Sequence, residues 1–316
     1  MPKVWTNVAL SISEAEWLKA KIHPYELVQD LSAVNNLTEG KGDPAAQEAD
    51  ILFGQPAVVD IFQSSNLKWV HLTSAGYTRY DRTDVFSFFE KHSVAFTNSS
   101  SVYDVPCAEH VLSMMLAYNR KIVDSERADH WTYIQQRPIM RVLRGQNLLI
   151  LGFGAIGTKL TELLQPFGME IRGLKRKVTG KENAPCFSID SRIEHLGWAD
   201  HVVNILPLSD STQSLFGKNE FTAMKPSAVL YNIGRGDTVD QPALIEVLKR
   251  KSIAAAFLDV TSPEPLPQDH PLWQLDNCLI TPHVAGGLQD ENQVLLNHFV
   301  TNFERFIKNQ PLLDRR

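Results

Sequence analysis

The chain has 316 residues, with 31 Lys and Arg against 36 Asp and Glu, which gives a net charge of −5. This length suggests two domains, the charge balance argues against a nucleic-acid-binding protein, and three cysteines without a C-x-x-C spacing support neither a disulfide framework nor a zinc site. No signal peptide and no apolar run of the ~18 residues needed for a membrane span are evident, so we expect a cytoplasmic protein that needs no metal.

Short apolar runs alternate with helical stretches, which predicts an α/β fold built on parallel sheets. Ser13-x-x-Glu16 has the spacing of a capping box and predicts the start of the first helix. Residues 51–53 and 69–72 are predicted to be buried strands, each followed by a turn that contains glycine. Residues 106–120 predict a helix with its proline in the first turn, and residues 121–142 predict an arm or a connection between domains.

A glycine-rich turn follows the apolar run at 148–151, with the spacing Gly152-x-Gly154-x-x-Gly157, and a helical pattern comes next. The first glycine would permit a tight turn, the second would let a pyrophosphate approach the backbone, and the third would let the helix pack on the strand. A P-loop is excluded because Thr158, not lysine, follows the last glycine. A turn without a ligand is the alternative, but the position between strand and helix favours a dinucleotide site.

The next predicted strand, 169–174, ends at Lys175-Arg176-Lys177. NAD sites usually place an acidic residue here to accept from the ribose 2′-hydroxyl. A pair of basic residues would instead bind a 2′-phosphate through charge-assisted contacts. The position therefore predicts that Lys175 and Arg176 favour NADP(H) over NAD(H), with a solvated basic loop as the alternative.

Three further apolar runs, at 228–233, 253–260 and 278–281, predict parallel strands. Arg235, Glu264 and His283 follow these runs in that order. Because ligands bind outside the carboxyl ends of the strands in doubly wound sheets, the three side chains are predicted to face one crevice.

This trio suits the reduction of a 2-keto acid. Arg235 would bind the carboxylate and carbonyl oxygen of the substrate through its planar fork, and His283 would give a proton to that oxygen. Glu264 would hold the other ring nitrogen and fix the tautomer. Asp259 is a candidate acceptor for the nicotinamide carboxamide, with capping of the following turn as the alternative.

These residues lie in long motifs that resemble the D-isomer-specific 2-hydroxyacid dehydrogenase family. The motifs are LKWVHLTSAGYTRYD, VPCAEHVLSMMLAYNR, LGFGAIGTKL, ADHVVNILPLSDST, NIGRGDTVDQPAL, AAAFLDVTSPEPLPQDHPLW and TPHVAGG. They follow the family's order and cover nearly the whole chain. Lys175 departs from the aspartate of NAD-using members and, with Arg176, resembles the glyoxylate/hydroxypyruvate reductase branch, which favours NADPH.

The resemblance implies two doubly wound parallel-sheet domains. A Rossmann-type cofactor domain, 102–285, would be inserted into a flavodoxin-like substrate domain of residues 1–101 and 286–316. It also implies a homodimer that pairs through the cofactor domain, for which 106–142 would serve.

The resemblance further assigns site residues. Arg235, Glu264 and His283 fall on the family's catalytic positions, and the backbone of Ala75, Gly76 and Tyr77 falls where members bind the substrate carboxylate. The positions that would contact the cofactor are Gly152, Phe153, Gly154, Ala155, Ile156, Gly157, Lys175, Arg176, Leu206, Pro207, Ile233, Gly234, Asp259, Ala285 and Gly286.

The main hypothesis is therefore an NADPH-dependent reductase of small 2-keto acids such as glyoxylate or hydroxypyruvate. A cofactor-sensing binding protein of the corepressor type, with the same fold, is the alternative from another class. Formate oxidation by a relative that uses NAD is a third and weaker hypothesis.

Overall fold

The apolar runs of the sequence form parallel strands that are buried between helices. The computed structural model describes residues 1–30 and 40–316. These residues divide into two units, one of Met1–Tyr103 with Leu288–Arg316 and the other of Asp104–Gly287. The predicted domain boundaries lie two residues before each of these divisions.

The first unit contains a parallel sheet of five strands. Its strands are β1 (Lys3–Thr6), β2 (Glu26–Gln29), β3 (Ile51–Gly54), β4 (Trp69–Leu72) and β5 (Ala95–Thr97). Their order is β2-β1-β3-β4-β5, which is the flavodoxin-like order. Every residue of β3 and β4 is buried, and this explains why both read as continuous apolar runs.

Helices cover both faces of this sheet. They are α1 (Ile12–Ile22), α2 (Pro44–Gln47), α3 (Val58–Gln63), α4 (Thr83–His92) and, from the far end of the sequence, α12 (Glu291–Ile307). Phe299 of α12 stacks on Phe53 of β3 with ring centroids 4.1 Å apart. It also stacks on Trp69 of β4 at 5.2 Å. Burial of these rings joins the two ends of the sequence in one core.

The second unit contains a parallel sheet of seven strands. Its strands are β6 (Asn147–Leu151), β7 (Glu170–Lys175), β8 (Cys186–Ser188), β9 (His201–Asn204), β10 (Val229–Asn232), β11 (Ala255–Leu258) and β12 (Cys278–Ile280). Their order is β12-β11-β10-β9-β6-β7-β8, the Rossmann order with one additional strand. All strands are parallel, but β7 and β8 lie on one side of β6 and β9 to β12 lie on the other. In such sheets the ligand crevice lies at this switch point, outside the carboxyl ends of β6 and β9.

Helices of the second unit include α6 (Ile122–Glu126), α7 (Tyr133–Gln136), α8 (Ala155–Leu164), α9 (Arg192–Leu196), α10 (Lys218–Ala223) and α11 (Gln241–Lys249). The division between the two units falls within α5 (Ser100–Asn119). No helix among residues 1–30 and 40–316 has the length and apolar character needed to cross a membrane.

Two local predictions about helix starts are wrong. The first helix is capped by Ser11, whose hydroxyl accepts from the Glu14 N–H at 3.3 Å while the Glu14 carboxylate accepts from the Ser11 N–H at 2.7 Å. Ser13 and Glu16 have the same spacing, but they already lie inside α1. Pro106 lies in the interior of α5 rather than in its first turn, because that helix begins six residues earlier.

Candidate active site

The glycine turn connects β6 to α8, and its three glycines meet different surroundings. Gly152 has φ of +90°, and a Cβ there would lie 2.9 Å from the backbone of Ile205. A Cβ on Gly157 would lie 3.3 Å from Ile150 and Phe153, so this glycine lets the helix approach the strand. A Cβ on Gly154 would meet nothing closer than 3.9 Å. Packing within the protein therefore requires the first and third glycines, and the second leaves a space.

That space lies at the N-terminus of α8, which is suited to a pyrophosphate. Gly154 is the N-cap residue, and no side chain among the described residues caps the helix. The next residue, Ala155, is exposed and Ile156 is partly exposed. Unpaired N–H groups and the positive end of the helix dipole favour an anion at this position. The side chain of Phe153 is buried, so this residue can face a ligand only through its backbone.

Loops after neighbouring strands converge beside this turn. A Cβ on Gly234, which follows β10, would lie 2.6 Å from the Leu206 carbonyl oxygen, and one on Gly152 would lie 3.0 Å from the Leu206 nitrogen. The turns after β6 and β10 therefore both pack on the backbone that follows β9. Leu206, Ile233 and Ala285 are buried, Gly286 is partly exposed, and Pro207 is exposed.

The carboxyl end of β7 carries a basic side chain that already has a partner. The Nζ atom of Lys175 lies 2.9 Å from Oε1 of Glu182. The same oxygen accepts hydrogen bonds from the backbone N–H and the hydroxyl of Thr179, at 3.0 and 2.8 Å. These donors hold the pKa of Glu182 far below its ordinary value, with Lys175 contributing most. Arg176 is exposed and belongs to no ion pair in the described part of the chain.

Glu264 and His283 form a hydrogen-bonded pair after β11 and β12. Nδ1 of His283 lies 2.9 Å from Oε2 of Glu264, and Oε1 accepts from the backbone N–H of Thr261 at 2.9 Å. Partial burial raises the pKa of Glu264, but the hydrogen bonds from His283 and Thr261 and the charge of Arg235 outweigh it, and the pKa lies below its ordinary value. The carboxylate therefore stays ionised at neutral pH and holds one ring nitrogen, which leaves Nε2 free of this contact.

Arg235 lies on the loop after β10, next to this pair. Its Nη1 donates to the Gly234 carbonyl at 2.7 Å, and this hydrogen bond orients the guanidinium. A Cβ on Gly236 would lie 1.9 Å from the Thr261 carbonyl, so the Arg235 and Glu264 loops are in backbone contact. Burial lowers the pKa of Arg235, whereas the charge of Glu264 opposes that change. An arginine remains cationic under such conditions.

Asp259 is buried and binds the turn that carries His283. Its Oδ1 accepts from the Thr281 hydroxyl at 2.6 Å and from the Val284 N–H at 2.9 Å, and its Oδ2 accepts from the Ala285 N–H at 2.9 Å. The carboxylate therefore holds the turn after β12 and not, as the alternative from the sequence had it, the turn directly after Asp259.

His110 on α5 also lies at this cluster, although nothing in the sequence selected it. Its Nε2 is 3.2 Å from the Thr281 hydroxyl and 3.7 Å from Oδ1 of Asp259. Burial lowers its pKa, against the opposing charge of Asp259. The neighbouring Cys107 is not a nucleophile, because burial raises the pKa of its thiol to about 12.

The loop Ala75–Gly76–Tyr77 belongs to the first unit and is held through its carbonyl groups. Asn98 donates to the Ala75 carbonyl and the Ser74 hydroxyl donates to the Gly76 carbonyl, both at 2.6 Å. The backbone N–H groups of Ala75, Gly76 and Tyr77 donate to no acceptor among the described residues. They are therefore available to an anion.

The fold and these contacts define a class of protein. A Rossmann-ordered sheet with an uncapped glycine turn after its first strand is typical of nicotinamide-dinucleotide enzymes. At the same edge of the sheet, the ends of β10, β11 and β12 carry Arg235 and the paired Glu264 and His283. The Glu264–His283 pair can donate and accept a proton, and Arg235 can bind an anion. This combination is typical of a dehydrogenase that acts on an anionic carbonyl compound.

The family model "D-isomer specific 2-hydroxyacid dehydrogenase, NAD binding domain" matches residues 112–285. The chain belongs to the D-isomer-specific 2-hydroxyacid dehydrogenase family and is an oxidoreductase that transfers hydride. The predicted family, fold class and enzyme class are therefore confirmed.

Characterised relatives support the same assignment. The chain is 32% identical to the glyoxylate reductase of Aeropyrum pernix over 263 residues, which are 78% of this chain and 76% of that protein. It is 32% identical to glyoxylate/hydroxypyruvate reductase B of Klebsiella pneumoniae over 288 residues, or 85% and 88% of the two chains. A D-isomer-specific 2-hydroxyacid dehydrogenase from Xanthobacter autotrophicus, solved with NADPH and MES, has a TM-score of 0.82 and 26% identity, and the match covers 100% of this chain and 97% of that one.

Proposed function

We propose that this chain reduces small 2-keto acids, glyoxylate or hydroxypyruvate among them, to D-2-hydroxy acids with NADPH. The observation that carries this proposal is the 2.9 Å contact between Nδ1 of His283 and Glu264, beside Arg235. The names of the relatives support the substrate class. They do not favour the cofactor-sensing alternative, because the relatives are reductases.

NADPH, held at the glycine turn of Gly152, Gly154 and Gly157, would supply the hydride that the carbonyl carbon accepts. Arg235 binds the substrate carboxylate and polarises the carbonyl oxygen. His283 then donates the proton on Nε2 to that oxygen, while its Nδ1–H remains on Glu264. The keto group thereby becomes a hydroxyl group, and the His283 side chain changes from an imidazolium to a neutral imidazole.

We further propose that the unit Asp104–Gly287 holds the dinucleotide and that the first unit contributes backbone groups to substrate binding. The glycine turn and α8 would take the pyrophosphate, and Arg176 with Lys175 would take the 2′-phosphate. The backbone N–H groups of Ala75, Gly76 and Tyr77 would bind the substrate carboxylate. No metal enters the proposal.

A homodimer is also part of the proposal. The segment 106–142 exposes large apolar side chains, with Trp131 at 89% exposure and Ile134 at 80%. Such side chains are typical of a surface that a partner covers. Sedimentation at micromolar concentration should give twice the chain mass, and a monomer would contradict this part of the proposal.

Steady-state assays of a panel of keto acids with NADPH and with NADH test the proposed function directly. We expect NADPH oxidation with glyoxylate and hydroxypyruvate, with a higher kcat/KM for NADPH than for NADH. Failure to turn over any small 2-keto acid would overturn the proposed function. Reduction of NAD by formate alone would favour the formate hypothesis instead.

A further inference from the structure

Glu182 lies in the irregular segment between β7 and β8, and its carboxylate contacts Lys175, one of the two residues proposed to bind the 2′-phosphate. Its side chain is only 6% exposed, whereas that of Lys175 is 26% exposed. One oxygen, Oε1, receives Lys175 Nζ and both donors of Thr179, at 2.8 to 3.0 Å. The carboxylate is thus a fixed negative charge, and it lies at an open surface depression lined by residues of the same segment, among them Val178, Asn183 and Cys186.

This ion pair changes the charge that a 2′-phosphate would meet. Lys175, at the end of β7, is neutralised by Glu182, so the pair has no net charge. Arg176 and Lys177 are exposed and have no ion-pair partner within the described residues. A phosphate dianion placed at the end of β7 would be attracted by Arg176 and Lys175 and repelled by Glu182, which lies 2.9 Å from Lys175 Nζ.

We propose that Glu182 is a specificity-determining residue that reduces the preference for NADP(H) by neutralising Lys175. This inference rests on the proposed use of Lys175 and Arg176 to bind the 2′-phosphate. NAD(H) carries a 2′-hydroxyl in place of that phosphate, so the charge of Glu182 repels it much less than it repels NADP(H). The residue therefore controls the ratio of the two affinities rather than the affinity for dinucleotides in general.

The substitution Glu182→Gln tests the charge alone. A glutamine Oε1 can still accept from Lys175 and from Thr179, so the segment keeps its hydrogen bonds while the negative charge is lost. Thr179→Val removes one donor but leaves the charge, and it controls for a disturbed loop. Glu304→Gln removes the same charge from the Lys308–Glu304 pair of α12, in the other unit, and is the matched control.

The readout is the binding of two adenosine ligands by calorimetry, without substrate or turnover. Adenosine 2′,5′-bisphosphate and adenosine 5′-monophosphate differ only in the 2′-phosphate. We expect Glu182→Gln to raise the ratio of the two affinities on the order of tenfold at low salt, through tighter binding of the bisphosphate alone. The increase should shrink as the ionic strength rises, and Glu304→Gln and Thr179→Val should leave the ratio nearly unchanged.

The outcomes separate this inference from the proposed NADPH preference. Equal affinity of the wild-type chain for both ligands would overturn the preference, whereas an increased ratio in Glu182→Gln would still support the role of Glu182. A wild-type preference that Glu182→Gln leaves unchanged would overturn the role of Glu182. An equal increase in Thr179→Val would also overturn it, because loop geometry would then be the cause. Glu182→Ser removes the charge with a smaller side chain and replaces the glutamine variant if that variant does not fold.

Discussion

The backbone N–H of His283 donates to the main-chain carbonyl of Asp259 at 2.9 Å, from a left-handed conformation with φ of +54°. The Asp259 carboxylate binds the next two N–H groups, so one buried residue holds the turn on which His283 lies. The imidazole is consequently positioned from two sides, by Asp259 through the backbone and by Glu264 through Nδ1.

Replacement of His283 tests the proton donor. His283→Ala should lower kcat for keto-acid reduction by about 10²–10⁴-fold, the usual cost of losing a general acid. Dinucleotide binding, measured separately by fluorescence, should change little, because the turn is held through backbone groups. His92→Ala, on α4 of the first unit, is the matched control and should retain activity. A His283 variant with nearly full activity would exclude this residue as the acid.

Removal of the Glu264 charge should change the pH dependence of reduction. Glu264→Gln can still accept a hydrogen bond from His283, but it no longer stabilises a positive charge on the imidazole. We therefore expect the pH at which reductive kcat/KM is half lost to move downward. A pH profile identical to that of the wild type would remove Glu264 from the mechanism.

Arg235 should not be replaceable by lysine. A guanidinium can donate to the Gly234 carbonyl and still present its fork to a carboxylate, whereas an ammonium group is a point charge. Arg235→Lys should lower kcat/KM for the keto acid by roughly 10- to 100-fold, as expected when a charge-assisted hydrogen bond is lost. Arg192→Lys, which alters an arginine paired with Glu220, should leave the steady-state parameters unchanged.

The glycine turn and the side chains of Arg235, Glu264 and His283 can be predicted from the sequence because each follows an apolar run. The carboxyl ends of parallel strands share one edge of a sheet, so residues that follow such runs lie at the same edge. Other features depend on contacts that no local pattern records. The partners of His110 are 171 and 149 positions away, and Glu182 reaches Lys175 across an irregular segment. Strands such as β2 and β8 escaped prediction because they are short and carry partly exposed residues.

The first unit contains a carboxylate that should make stability depend on acid pH. Burial raises the pKa of Asp314, but the 3.2 Å contact with Nε2 of His298 and the two hydrogen bonds from Ser101 outweigh it and lower the pKa from 3.8 to about 2. A depressed pKa stabilises the fold above the unfolded value, and this stabilisation is lost as the pH falls from about 4 to about 2. Asp314→Asn should therefore cost about 2 kcal/mol at pH 7 and much less near pH 2.

Urea denaturation at several pH values measures this difference in the free energy of unfolding. Asp129→Asn is a suitable control, because Asp129 is 98% exposed, and it should change stability little. A cost for Asp314→Asn that is the same at pH 7 and at acid pH would show that the carboxylate's charge does not contribute.

The first and second glycines of the turn allow packing to be separated from ligand binding. Gly152→Ala places a Cβ against the Ile205 backbone at a φ of +90°, and should cost about 1–3 kcal/mol of stability. In Gly154→Ala the new Cβ meets nothing among the described residues closer than the Gly152 carbonyl oxygen, at 3.9 Å, and the φ of −123° suits any residue. This variant should unfold at the wild-type temperature yet bind dinucleotide more weakly, because the new methyl group occupies the space at the N-terminus of α8. Thermal unfolding and titration with NADPH measure the two effects, and unchanged NADPH affinity in Gly154→Ala would mean that the pyrophosphate does not lie on this turn.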